Sequence, residues 1–433
     1  MTENPSIPRS CSQWYDPFLS MANVVLTYLA LRDTDISTFA LACVIVALVT
    51  TQMAAVEYMR TRKSLPTLRL SIDRALSRRV GIKWLGVMAG IGVLYLVWRL
   101  LPVYHNPYYE PLRLVAPYGV PLAALLAAIY LLHSERVLGE QKEFSWYSGL
   151  FVLGRWREID WQQMQHGAFV LLIRIIFLPL NFCALVIGVA AMRMQEAAIL
   201  DVSNWAACQQ AIMSMLFTLL IATIVPGYIF SAKLLNTHVR KVDMSWFGWV
   251  VTLACYPPFV TGVFGSWFNY RPSVYETPME KPWIHLFSDT PWVFYSIGIA
   301  IILTEIIHLW GEAILGIRAS NLAHRGVITN GPFRYTRHPI YVSKCAGWLL
   351  ISLPFLMGDG VLDSLRLTIL WVGVCGIYFL RSIVEERIFA DDPDYVAYAL
   401  WVDKHGWFAW FGRHIPWLTF AWRYERWKAQ GIA

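Results

Sequence analysis

Apolar residues run along this chain in blocks of about twenty, parted by short polar stretches, and a helix that crosses a bilayer needs about 20 mostly apolar residues. Such blocks fall at 36–56, 82–103, 114–132, 166–192, 205–230, 244–265, 290–311, 339–358 and 361–381. Arg99 lies close enough to the end of the second block to snorkel. The pattern predicts an all-α, polytopic membrane protein of about nine transmembrane helices. A shorter block at 18–31 is a tenth candidate, which either spans or lies along the interface. The last two blocks are closely spaced and read as a helical hairpin.

The polar stretches orient the blocks. The segment after the first carries Arg60, Arg62, Lys63, Arg69, Arg74, Arg78, Arg79 and Lys83, and the positive-inside rule makes it cytoplasmic. Alternation then places 133–165, 231–243 and 312–338 inside, together with the C-terminal tail. The connections 104–113, 193–204 and 266–289 fall outside, with fewer basic residues for their length. Whether 18–31 spans changes only the side of the N-terminus.

Composition agrees with lipid-facing helices. Of 433 residues, 57% are hydrophobic and 15% charged, and the mean hydropathy is +0.46. The 21 Trp and 21 Tyr suit aromatic belts at two interfaces. The formal charge of +7 fits basic loops facing anionic lipid. No basic module stands apart from the blocks, so nucleic acid is not an expected partner. The seven cysteines are scattered without CxxC spacing and read as small buried hydrophobes, not as zinc ligands or disulfides. No basic stretch leads into an apolar one at the N-terminus, so no cleaved signal peptide is expected. There is no internal repeat. A working division falls near 285, giving an N-terminal bundle (1–285) and a C-terminal membrane domain (286–433).

One polar stretch concentrates chemistry. "NGPFRYTRHPIY", residues 330–341, packs Arg334, Arg337 and His338 into five positions ahead of Pro339 and Tyr341. Pro339 fits the first turn of a helix and pushes His338 towards an extended conformation. Gly331-Pro332 reads as a turn. A helix N-terminus with guanidinium groups beside it suits an anion such as a carboxylate or phosphate. Beyond the hairpin, Glu385 and Glu386 face the same compartment. Read alone, these charges favour helix ends anchored at lipid headgroups over a binding site.

The stretch "LWGEAILGIRASNLAHRGVITNGPFRYTRHPIY", with "VEERIFADDPDYVAY" about forty residues later, resembles the isoprenylcysteine carboxyl methyltransferase and phospholipid methyltransferase family. The resemblance rests on Trp310, Leu315, Gly316, Gly331, Pro332, Arg337, His338, Pro339, Tyr341, Glu385, Glu386, Tyr395 and Tyr398, over about 300–410. Ser343 stands where the family usually has Gly, and Phe333 where Tyr is common. The resemblance implies transfer of a methyl group from S-adenosylmethionine to a membrane lipid or lipid-modified acceptor at the cytoplasmic face. It places Gly331, Tyr335, His338, Pro339, Tyr341, Glu385 and Glu386 around the cofactor, with Arg337 and Glu386 as the catalytic residues. Arg337 would orient a carboxylate acceptor; Glu386 would take a proton from an amine.

Glu305, His308 and Glu312 share one helix face by spacing. With Trp310 they are candidates for an acceptor-site wall, or simply a polar patch near the helix end. Glu305-x-x-His308 lacks the second such pair of a di-iron bundle, so no metal is expected. Arg174, inside the fourth block, is expected to pair with a buried partner or carbonyl. Two other functions compete. Sterol reductases resemble the same C-terminal pattern and use NADPH, but favour Asn where this chain has Ile340. A transporter or scaffold would account for the long N-terminal bundle, although repeats and paired broken helices are missing.

Overall fold

In a computed structural model, residues 7–68, 73–257, 259–260, 263, 265, 282–356 and 360–431 are described, and they are mostly helical. The helices are α1 (Asp16–Leu31), α2 (Thr38–Thr61), α3 (Arg74–Leu100), α4 (Glu110–Leu138), α5 (Phe144–Val152), α6 (Trp161–Gln195), α7 (Trp205–Ile229) and α8 (Trp246–Leu253). Then come α9 (Pro282–Phe287), α10 (Pro291–Ala313), α11 (Pro339–Ser352), α12 (Val361–Phe389), α13 (Pro393–His405), α14 (Ala409–His414) and α15 (Phe420–Ala429). Among the described residues the strands are β1 (Lys241–Val242) and β2 (Ala323–His324), paired antiparallel with Lys241 opposite His324.

Among the described residues, seven helices are long and apolar enough to cross a membrane: α2, α3, α4, α6, α7, α10 and α12. This differs from the nine expected. The block at 339–358 yields α11, of 14 residues, which stops where Leu353 turns left-handed (φ 39°). The block at 244–265 yields the eight-residue α8 and lies partly outside the described residues. Pro257 and Pro258 follow α8 in sequence, and a residue preceding proline is pushed off helical geometry.

Helix ends reach further into polar sequence than the apolar blocks. Asp73 caps α3 by accepting from the Leu76 N–H at 2.6 Å. Arg74, Arg78, Arg79 and Lys83, expected in a loop, therefore lie in the first turns of that helix. Lys83 is fully buried, 2.6 Å from the equally buried Glu135 of α4. Likewise α12 runs on to Phe389, so Glu385 and Glu386 sit inside its last turns instead of beyond it. In α6, Pro179 cannot donate to the Ile175 carbonyl. That carbonyl accepts instead from Trp98 Nε1 at 3.1 Å and the Tyr104 hydroxyl at 2.9 Å, fastening α6 to the end of α3.

Four polar stretches that the charge pattern grouped together meet at one end of the bundle. Lys233 pairs with Glu143 at 3.3 Å, Arg240 with Asp392 at 3.6 Å, and Thr61 Oγ1 donates to the Leu234 carbonyl at 3.0 Å. At the other end, Arg193 donates to the Ile36 carbonyl at 3.0 Å, and the Trp205 and Tyr295 rings lie 5.3 Å apart. Helix α1 joins both ends. Asp16 pairs with Arg60, Asn23 accompanies Gln52 at 2.7 Å, and Arg32 reaches Glu196 at 3.6 Å. It therefore lies antiparallel along α2, about 24 Å long at 1.5 Å per residue.

The core does not break near 285. Buried side chains of α1, α2, α6 and α7, such as Val24, Leu41, Leu185 and Val225, pack with Leu309 and Ala313 of α10. Arg318 forms a buried ion pair with Glu57, with Nη2 at 2.9 Å from Oε2.

Candidate functional site

The site begins with the loop between α10 and α11. Arg325 holds it down: its guanidinium donates to the carbonyls of Gly227, Phe230 and Thr237 at 2.6 Å each. Gly227 is required there, since a Cβ would sit 2.2 Å from the Ala319 carbonyl oxygen. His324 Nε2 bonds Asp392 at 2.7 Å, joining the loop to the start of α13. Burial lowers the His324 pKa, with Asp392 opposing the shift. The turn at Gly331–Arg334 then delivers the chain to α11. Gly331 has φ +57°, and a Cβ would meet Ile314 Cδ1 at 2.7 Å and the Trp310 indole nitrogen at 3.2 Å. Pro339 opens α11, as its ring geometry dictates.

At the base of the α11–α12 hairpin the two charged segments come together. Glu386 is fully buried and both its oxygens are taken. Oε1 accepts from Arg337 Nε at 2.8 Å and bonds His338 Nε2 at 3.0 Å; Oε2 accepts from Arg423 Nε of α15 at 3.1 Å. Arg337 also pairs with Asp403 of α13. Burial alone would lower the Arg337 pKa, but Glu386 and Asp403 outweigh it and hold the group above its ordinary value. The result is a buried, fully paired network in which Arg337 is a fixed cation.

Glu385 faces a different neighbourhood. It accepts from the Tyr341 hydroxyl and lies 3.4 Å from Arg381 Nε, with its side chain 28% exposed. The Arg381 guanidinium sits over the rings of Tyr341 and Tyr256, 5.0 and 5.5 Å from their centroids, and donates to Asn321. Asn321 in turn donates to the hydroxyls of Tyr228 at 2.9 Å and Tyr256 at 3.0 Å.

These groups line a cavity of about 150 Å³ between α7, the 315–328 loop, the start of α11, the end of α12 and α13. Arg337, His338, Tyr341, Arg381, Glu385, Tyr395 and Tyr398 all reach it. Burial, with Glu386 nearby, pushes the Tyr395 phenol well above its ordinary pKa, so it is a neutral donor. The cavity thus offers two part-exposed carboxylates, Glu385 and Glu312, one stacked guanidinium, an imidazole and several phenols.

Comparison of the chain with protein-family models, curated proteins and solved structures finds no match.

The expected site residues divide into two groups. Arg337, His338, Tyr341 and Glu385 line the cavity, with Glu386 directly behind them. Gly331, Tyr335 and Trp310 border a separate open groove of about 940 Å³ on the other side of the 331–335 turn. Tyr335 stacks on Trp407 at 5.1 Å, and its carbonyl accepts from the Trp407 N–H. Pro339 is buried in the first turn of α11 and sets the backbone only. On α10, both carboxylate oxygens of Glu305 lie 3.2 Å from His308 Nδ1, and Glu312 is 3.9 Å from Nε2, so the three do share a face. Of these, Glu312 alone borders the cavity. Among the described residues no group of three His, Cys, Asp or Glu could hold a metal ion. Arg174 has no hydrogen bond or ion pair among the described residues.

Sequence reading missed several members. Arg381 lies at the apolar run's edge, where an intramembrane arginine is itself a signal. Asn321, Asp403 and Arg423 carry no local pattern; only the tertiary fold brings them in. The N-terminal segment is also part of the structure around the motif. Cys11 N–H donates to the Val327 carbonyl at 2.9 Å, Thr329 Oγ1 to the Pro8 carbonyl at 2.9 Å, and Asn330 Nδ2 to the Ser12 carbonyl at 2.8 Å.

Proposed function

We propose that this protein is an integral-membrane methyltransferase that moves a methyl group from S-adenosylmethionine to a lipidic or lipid-modified acceptor at the cytoplasmic face. Isoprenylcysteine carboxylates and phospholipid amines are the acceptor classes. One observation carries the reading: Tyr341 and Glu385, 44 residues apart, hydrogen-bond across a cavity at the base of the hairpin. The two motif segments whose order suggested the family are thereby neighbours.

The donor set suits the cofactor. S-adenosylmethionine supplies an activated methyl group on a cationic sulfonium and carries an ammonium and a carboxylate. Glu385 offers the negative charge, and Arg381 offers the positive one. The free volume of about 150 Å³ is below the roughly 300–1,000 Å³ of ligand pockets. A nucleotide-sized molecule therefore enters by displacing lining side chains, and part-exposed Glu385 marks the yielding side. In this proposal Glu386 and Arg337 position the site, because their polar atoms are committed to each other, to Asp403 and to Arg423. Glu385 takes the proton when the acceptor is an amine. Ile340, Ile388 and Phe389 line the cavity and exclude water.

The test is binding and turnover with labelled S-adenosylmethionine, run beside labelled NADPH. Wild type should bind the first and incorporate methyl into lipid. Glu385→Gln should bind it at least about tenfold more weakly, equivalent to about 1.4 kcal/mol. A folded wild type with no affinity for S-adenosylmethionine, or equal binding by the variant, overturns the reading.

A further inference from the structure

We propose that the groove between α3 and α4, at the end of the bundle away from the cavity, holds the headgroup of an anionic phospholipid. The groove is open, about 960 Å³, and lined from both helices and the turns that join them. Two guanidinium groups, Arg99 and Arg113, border it, and among the described residues no acidic one does. Neither arginine forms an ion pair among the described residues. The local hydrogen bonds fix their backbone surroundings and leave the charge uncompensated. Arg113 Nη2 donates to the His105 carbonyl at 3.1 Å, and His105 Nε2 lies 3.0 Å from the Arg99 carbonyl.

Acceptors stand beside these donors. Pro117 and Pro121 interrupt α4 four residues apart, and both line the groove. Each lacks the N–H that would close a helical turn, so the carbonyls of Arg113 and Pro117 lose their usual partners. A phosphate between the two arginines, with headgroup hydroxyls on those carbonyls, satisfies both sets at once. The Trp98 indole and Tyr104 hydroxyl are already committed to the Ile175 carbonyl and form a fixed wall.

The setting selects a lipid over a free anion. Leu96, Leu100, Leu114 and Leu122 flank the groove on the same two helices, and all are exposed. Acyl chains cover such a surface; a soluble phosphate leaves it bare. The inference rests on α3 and α4 facing lipid and is independent of methyl transfer.

The experiment uses the full chain, purified in detergent with equal phosphatidylglycerol and phosphatidylcholine, and native mass spectrometry of retained lipid. Wild type should retain phosphatidylglycerol over phosphatidylcholine by at least about fivefold. The double variant Arg99→Gln/Arg113→Gln should lose that preference. Val120→Trp, which fills the apolar wall without touching charge, should lower phosphatidylglycerol retention as well. Unchanged preference in the folded double variant overturns the proposal, as does unchanged phosphatidylglycerol retention in folded Val120→Trp or displacement of the bound lipid by excess inorganic phosphate.

Discussion

Glu386 and its neighbour Glu385 differ by one position in sequence and by almost everything in environment. The sequence presents them as an acidic pair. The helix rotates them by 100°, so one enters a dry ion network and the other borders the cavity. Removing the carboxylate at 386 leaves Arg337 and Arg423 buried with only Asp403 to offset them. We expect Glu386→Ala to cost about 3–5 kcal/mol of stability, as for other broken buried pairs. Glu385→Gln should cost no more than about 1 kcal/mol, the usual worth of one hydrogen bond. Thermal melts of the purified proteins separate the two. Equal melting temperatures would mean that Glu386 does not hold the network together. Which of the two acids faces the cavity was not legible in the sequence, because it depends on where α12 ends.

At the scale of elements, the apolar blocks were legible and their ends were not. Hydropathy marks the lipid-length middle of a helix, but polar caps and buried ion pairs extend α3 back to Arg74 and α12 on to Phe389. The same physics hid the N-terminal segment. Residues 8–12 are polar and proline-containing, with no periodicity, yet their backbone lies along the 327–330 loop. Such pairing uses backbone groups that every sequence possesses, so no pattern announces it. Thr329 and Asn330 supply the side-chain bonds. We expect Thr329→Val with Asn330→Ala to lose about 1 kcal/mol per bond and to speed amide exchange across 327–335 while α2 and α7 stay protected. Hydrogen-exchange mass spectrometry reads this directly, and unaltered exchange at 327–335 would show that the segment does not brace the motif.

For the whole molecule, the positions of helix ends carry more than the count of long helices. Helix α7 finishes beside the 227–237 carbonyls that hold Arg325, at the cavity end. Helix α10 starts at the opposite end, where Trp283 and Phe294 share a cluster with Trp205. The chain therefore changes ends between them, over a stretch partly outside the described residues. Adding α1 along α2 and the short α11, whose Ile351 reaches the Trp283 cluster, makes both described termini lie at the cavity end. By the positive-inside rule that end is expected to face the cytoplasm, since its polar stretches carry most of the loop arginines and lysines. This yields a labelling pattern that a different path would not reproduce. Ser64→Cys and Lys404→Cys sit at exposed positions of the cavity end, and Asp35→Cys and Asp289→Cys at exposed positions of the other. A membrane-impermeant maleimide added outside intact cells should modify the second pair and spare the first until the membrane is opened. Reversed labelling would put the cavity at the outer face and remove the proposed reaction while leaving the fold intact. Mixed labelling within a pair would break the two-ended arrangement itself.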